Sequence, residues 1–119
     1  MVPPGGPRTH IEVEGTIRPM TADVEACLYR VAREAVANAV KHAGATDITV
    51  LLEYGPSALT LTVIDDGHGF DVSSAMEKSE SGLTIGLRSL HERVRTAGGG
   101  LAIDSSPGGG CRLCARVPC

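Results

Sequence analysis

"LTLTVIDDGHGFD", residues Leu59 to Asp71, begins as an alternating apolar strand and ends in two adjacent carboxylates that run into Gly-His-Gly. Side chains alternate across a strand, so Leu59, Leu61 and Val63 share one face and Asp65 is the next residue on it. Thr60, Thr62, Ile64 and Asp66 share the other face. Asp65 therefore points where the core points. A carboxylate there is costly unless donors satisfy it. The turn Gly67-His68-Gly69 lets backbone approach a ligand closely, although Asp-Gly pairs are also ordinary turn formers. His68 reads as an exposed turn residue.

Working outward, "DITVLLEY" before this stretch is a second strand, joined to it through Gly55-Pro56-Ser57. Upstream lies the longest helical pattern, from Thr21 to Ala43. Thr21 is its N-cap, Asp23 and Glu25 sit in the first turn, Lys41 and His42 in the last, and Gly44 stops it. Val24, Leu28, Val31, Ala35 and Ala39 form its apolar stripe. "THIEVEGTIRPM" alternates around Gly15 and reads as a strand or a short hairpin. Downstream, residues 71–84 are polar and rich in Ser and Glu. A loop of that length in so small a domain reads as a lid over a site. "GLRSLHERVRTA" is a second helix with Leu87, Leu90, Val94 and Ala97 on one face. "LAIDS" and "CRLCARV", separated by "SPGGG", form a closing hairpin. The order β, α, β, β, loop, α, β, β predicts an α+β two-layer sandwich, with a mixed or antiparallel sheet and segregated helices.

The chain has 119 residues, enough for one domain with a real core. The opening "MVPPGGPRTH" carries no hydrophobic run. Residues 1–9 read as a flexible lead-in and 10–119 as the domain. Hydrophobic residues make up 42% and charged residues 21%, the balance of a soluble globular protein. A net charge of −3 argues against a nucleic-acid surface, and 3% aromatic residues argue against base stacking. No apolar stretch approaches the roughly 18 residues of a membrane span, so no membrane contact is expected of this domain. Cys111 and Cys114 have CxxC spacing, but on a strand residues three apart face opposite ways. Reduced thiols in a cytoplasmic protein are the better reading than a metal site.

The first helix carries a second stripe. Arg30, Glu34, Asn38 and His42 recur every four residues, with Lys41 adjacent. Asn is a poor mid-helix residue because its side chain competes for the backbone. One reading is a solvated face with an Arg30–Glu34 ion pair. The other is an amide oxygen aimed at a metal, with cations nearby for phosphates. Magnesium takes hard oxygen ligands and usually binds through one or two protein groups plus substrate phosphates. Gly86 opens the second helix, where free N–H groups make an anion site, or else an ordinary helix start.

Together these segments resemble the ATP-binding domain of sensor histidine kinases, within the wider gyrase/Hsp90/kinase/MutL ATPase superfamily. The likeness runs from about Ile11 onward. "LYRVAREAVANAVKHA" is similar to the family's N box, "IDDGHGF" to its first glycine box, "GLRSLHERV" to its second, and "SSPGGGCRLCARV" to its terminal hairpin. The short lid and the "LHERV" helix are most similar to kinases of the nitrate-sensor and lipid-fluidity-sensor type.

The resemblance implies the Bergerat ATP-binding fold, with helices on one face of a mostly antiparallel sheet, and a Mg-ATP site. In it Asp65 accepts from the adenine amino group, and Asp66 is ordinary sheet surface. Asn38 ligates magnesium and Glu34 is the polarising carboxylate. Lys41 and His42 lie near the phosphates, and His68 at the adenine end. Gly67 and Gly69 form the first glycine box, and Gly86 and Leu87 offer backbone N–H groups. Cys111 stands where the family usually has Thr, and Thr84 where it has the first glycine of the second box.

The implied partners are a helical dimerisation domain that carries the acceptor histidine, and a downstream response regulator. The parent kinase is expected in the cytoplasm or anchored to its membrane. His10, His42, His68 and His91 lie in none of the family's acceptor contexts. An anti-sigma-factor-type serine kinase and a non-catalytic nucleotide sensor share the same ATP site and remain alternatives.

Overall fold

The structure, a computed structural model, describes residues 8–41, 44–69 and 82–118, with the side chains of 82–85 outside the description. The elements are β1 (Arg8–Gly15), α1 (Ala22–Lys41), β2 (Asp47–Tyr54), β3 (Ala58–Asp65), α2 (Gly82–Thr96), β4 (Gly100–Ser105) and β5 (Cys111–Pro118). They form one five-stranded sheet in the order β1-β2-β3-β5-β4. β1 runs parallel to β2, and every other pair is antiparallel. The sheet is mixed and mostly antiparallel, as the element order predicts.

The stripe on β3 does what alternation requires. Leu59, Leu61 and Val63 are buried, and the register sets them beside Val117, Ala115 and Leu113 of β5. Val24, Leu28, Val31, Ala35 and Ala39 of α1 and Leu87, Leu90 and Val94 of α2 close over that face in one core. Both helices therefore cover the same face and the other stays open. Cys27, which the apolar stripe did not include, is also buried, and its Sγ lies 3.8 Å from Arg93 O, tying α1 to α2. Burial pushes its thiol pKa up.

The α1 cap forms as expected: Val24 N–H donates to Thr21 Oγ1 at 3.3 Å. At its other end Ala45 N–H reaches back to Ala39 O at 3.2 Å. Ahead of α1, Arg18 donates to Gly55 O at 2.5 Å and lies over the Tyr54 ring at 5.7 Å, pinning this connection to the β2–β3 turn.

Three boundaries differ from the sequence reading. β1 begins at Arg8, inside the stretch read as lead-in, because Arg8 N–H bonds Thr46 O at 2.9 Å. It is one straight strand along β2, not a hairpin around Gly15. α2 begins at Gly82, four residues earlier than Gly86, so residues 82–84 are helical rather than loop. Gly and Thr are weak helix formers, and the following Leu87–Leu90–Val94 stripe overrides them. Most of the segment read as a lid, residues 71–81, lies outside the described residues.

Candidate functional site

Asp65 is the last residue of β3 and continues the core face, with Ile48 on one side and Cys111 on the other. Its carboxylate is half-buried, and burial raises its pKa. Gly67 N–H donates to Oδ1 at 2.9 Å and opposes that rise; the nearby Asp66 charge adds to it. The protein thus keeps an acceptor group at the mouth of its core.

The turn after Asp65 is seated on the β4–β5 turn. Gly69 has φ +67°, and a Cβ there would lie 2.1 Å from Ser106 O and 2.7 Å from Gly110 O. Gly110, at φ +72°, would likewise press a Cβ to 2.4 Å from Asp65 O. Gly108 N–H donates to His68 O, and Ser105 Oγ donates to Gly110 O at 2.7 Å. Close backbone approach thus accounts for glycine at 69 and 110. The part played by Gly110 and Ser105 was not read from the sequence, because the contact joins segments some forty residues apart.

Cys111 faces the core side beside Asp65, and Cys114 sits on the open face, where Thr62 Oγ1 lies 3.7 Å from its Sγ. Alternation had placed them on opposite faces. Burial and the Asp65 charge push the Cys111 thiol up to about 11, with a Ser105 hydrogen bond pulling the other way. Cys111 is therefore a neutral thiol at ordinary pH, a weak hydrogen-bonding neighbour for Asp65.

Asp66 departs from the expectation of ordinary sheet surface. Its carboxylate accepts from Thr46 N–H at 2.8 Å, Asp47 N–H at 2.9 Å and Thr46 Oγ1 at 2.5 Å. These bonds, that of the Thr46 hydroxyl foremost, hold its pKa down at about 2. β3 ends at Asp65, so Asp66 is free to turn and clamp the entry to β2. Two neighbouring acids are thus driven in opposite directions, one by burial and one by donors.

The N-box residues lie along one flank of α1. Glu34 and Asn38 are half-buried, and Arg30 and Lys41 are exposed. Glu34 faces α2: a Cβ at Gly86 would fall 2.3 Å from its Oε1. The packing joins the first-helix stripe to the second glycine segment. The Arg30–Glu34 ion pair of the solvated-face reading is not formed; among the described residues Arg8, and His10 when protonated, pair with Asp47.

Gly86 is the fifth residue of α2, so its N–H falls inside the helical ladder and does not open it. The free N–H groups belong to residues 82–85. Gly86 earns its place through close packing on Glu34, and Leu87 is buried in the core. His68 is exposed but lies against the stop of α1, its Nε2 3.0 Å from where a Gly44 Cβ would be. That sets it at the end of the N-box helix rather than apart from it. His42 lies outside the described residues, and so does the Thr84 side chain.

Residues 23–119 match the family model described as "Histidine kinase-, DNA gyrase B-, and HSP90-like ATPase". The chain is 37% identical over 115 residues to an uncharacterized sensor-like histidine kinase of Chloroflexus aurantiacus, covering 92% of this chain and 19% of that protein. It is 39% identical over 94 residues to the signal transduction histidine-protein kinase/phosphatase DegS of Bacillus subtilis, covering 79% of this chain and 24% of that one. It thus spans about a fifth to a quarter of the length of these relatives. Among solved structures, the ATP binding domain of PrrB from Mycobacterium tuberculosis superposes with a TM-score of 0.62 at 24% identity, covering 94% of this chain and 81% of that one. The histidine kinase domain of the blue-light activated kinase from Erythrobacter litoralis gives 0.66 at 20% identity, covering 92% and 54%. These likenesses match the fold, and the family match takes in the N box, both glycine segments and the closing hairpin: the chain belongs to the histidine kinase-, DNA gyrase B- and HSP90-like ATPase family.

Proposed function

We propose that this chain binds Mg-ATP and presents its γ-phosphoryl group to a histidine on a separate helical dimerisation and phosphoacceptor domain of a sensor kinase. Such a kinase would then pass the phosphoryl group to a response regulator. The observation that carries the reading is Asp65: a half-buried carboxylate at the end of a core stripe, with Gly67 N–H on Oδ1. Its Oδ2 accepts the adenine amino group, and the close Gly69–Gly110 packing holds the turn that frames it. Cys111 flanks the base from β5.

At the other end Asn38, half-buried on the flank of α1 that carries Glu34, offers an amide oxygen to magnesium. Among the described residues no three His, Cys, Asp or Glu converge as a metal cage. One protein oxygen plus phosphates and water fits magnesium, which keeps much of its hydration. The ion supplies charge neutralisation to the phosphates when bound. Glu34 polarises the acceptor side from its place against Gly86, and Lys41 and His42 lie near the phosphate oxygens. The free N–H groups at the start of α2 add a preorganised anion site. Phosphoryl transfer asks mainly for positioning and charge neutralisation, which is what a rigid sheet with two helices on one face provides. Among the described residues no helix is long and apolar enough to cross a membrane.

The test is turnover with an acceptor supplied. Mixed with a helical domain carrying its histidine, the chain should transfer label from radiolabelled Mg-ATP to an acid-labile position, and Asn38→Ala should abolish transfer. Tight binding with no transfer to any acceptor would instead favour a nucleotide sensor, a reading to which the Cys111 thiol lends some support.

A further inference from the structure

β1 closes one edge of the sheet, and all eight of its residues, Arg8–Gly15, are exposed. Among the described residues its only neighbour is β2. In a parallel ladder, residues that bond the neighbouring strand alternate with residues whose N–H and C=O point away from it. Arg8 N–H bonds Thr46 O, so Arg8, His10, Glu12 and Glu14 turn their backbone groups to β2. Thr9, Ile11 and Val13 turn theirs to the free edge. Natural edge strands discourage pairing through charged side chains, proline, bulges or a covering segment, and like charges set opposite one another repel. This one has no proline, and its charges change sign halfway, basic at 8 and 10 and acidic at 12 and 14.

We propose that β1 is a self-complementary docking edge, which pairs antiparallel with β1 of a second copy about a two-fold axis at Ile11. In that register Ile11 faces Ile11 of the other copy and Thr9 faces Val13. These are the residues with outward backbone groups, and they give about six reciprocal hydrogen bonds. The intervening positions then set Arg8 against Glu14 and His10 against Glu12, two Arg–Glu ion pairs and two imidazole–carboxylate pairs in all. They fall at non-hydrogen-bonded sites, where facing side chains approach most closely.

The neighbouring registers fail. A shift of two residues one way sets Glu12 against its own copy, and the other way His10 against its own. A shift of one sets outward backbone groups against inward ones. Arg8 and His10 already lie 3.2 and 3.5 Å from Asp47 Oδ1, which keeps both side chains on the open face.

The other face of β1 favours the same contact. Ile11 and Val13 pair with Val50 and Leu52, so they lie on the helix side, yet they are 74% and 48% exposed. α1 turns Cys27 and Glu34 towards α2, on the β4 side of the sheet. That leaves Tyr29 and Val40, 67% and 45% exposed, on the flank towards β1. A two-fold axis normal to the sheet keeps both helical layers on one side and brings these apolar strips together. The interface is isologous and small, so the dimer is weak and concentration-dependent. It does not depend on the nucleotide reading, since β1 carries none of the proposed ATP-site residues.

Sedimentation velocity of the 119-residue chain under reducing, low-salt conditions tests this, with two charge-reversed forms. Wild type should shift towards dimer with rising concentration. The Glu12→Lys/Glu14→Lys form should stay monomeric, and so should the Arg8→Glu/His10→Glu form, since each then opposes like charges. Mixed one to one, the two forms should dimerise at least as well as wild type. Unchanged circular dichroism of each form shows that it is folded. A wild-type chain that remains monomeric up to about 1 mM, a dimer indifferent to both reversals, or a mixture that stays monomeric would overturn the proposal.

Discussion

Asp65 and Asp66 are adjacent carboxylates with opposite roles, and each makes a prediction of opposite sign. Asp65 has a raised pKa, so ionising it costs more in the folded chain than in the unfolded one and its charge detracts from stability. Asp65→Asn removes that charge while its amide oxygen can still accept from Gly67. Without nucleotide the variant should melt at or above the wild-type temperature. With nucleotide it should lose a charge-assisted hydrogen bond worth on the order of 1.5–3 kcal/mol, a loss of roughly tenfold to a hundredfold in affinity.

Asp66 has a depressed pKa near 2. Its contribution to stability is complete above the unfolded carboxylate pKa of about 3.9 and disappears as pH falls through the folded value. Asp66→Asn should therefore flatten the acid limb of a stability–pH curve between roughly pH 4 and 2, and denaturant titrations across that window would show it. Alternation alone placed Asp65, since the core stripe points at it. The role of Asp66 was not legible, because its donors come from the entry to β2, nearly twenty residues upstream.

At the level of elements, the two glycine segments use the missing side chain differently. Gly69 has a positive φ and abuts backbone carbonyls, which cannot swing away. Gly69→Ala should destabilise by at least about 1–3 kcal/mol. Gly86 abuts the end of the Glu34 side chain, which can move. There alanine gains up to about 1 kcal/mol of helix propensity, so Gly86→Ala should leave stability nearly unchanged while displacing Glu34 and lowering phosphotransfer. Thermal melts and transfer assays on the two variants separate these cases.

Strands were the most legible elements: β2 and β3 coincide with "DITVLLEY" and "ALTLTVID", because turn residues bound them on both sides. The start of α2 was not, since Gly82 and Thr84 look like loop residues and only packing of the later stripe carries the helix back to them. The edge pairing of β1 was equally hidden, because a parallel partner lies across a whole helix in sequence.

For the whole molecule, the fold and family follow from segments that are weak singly and specific in their order, while the proposed function assigns the phosphoacceptor to a separate domain. Incubated alone with Mg-ATP, the chain should acquire no phosphohistidine. His10 lies on the β1 edge and His91 within α2, apart from the proposed phosphate end. His68 lies beside the end of α1 and His42 directly follows that helix in sequence, yet the sequence around none of the four resembles the family's acceptor contexts. In-line transfer needs the acceptor nitrogen about 3–3.5 Å from phosphorus. An acid-labile phosphate assay checks this, and stable self-labelling would contradict the division of labour between domains.

The most direct measurement of the central claim is calorimetric titration of ATP into the 119-residue chain with and without magnesium, repeated on Asp65→Asn and Asn38→Ala. Binding should be saturable and one-to-one, and should weaken when magnesium is removed. Binding by Asn38→Ala should no longer depend on magnesium, and Asp65→Asn should lose most affinity in either condition. A chain that binds no nucleotide, or an Asp65→Asn variant that binds as tightly as wild type, would contradict it.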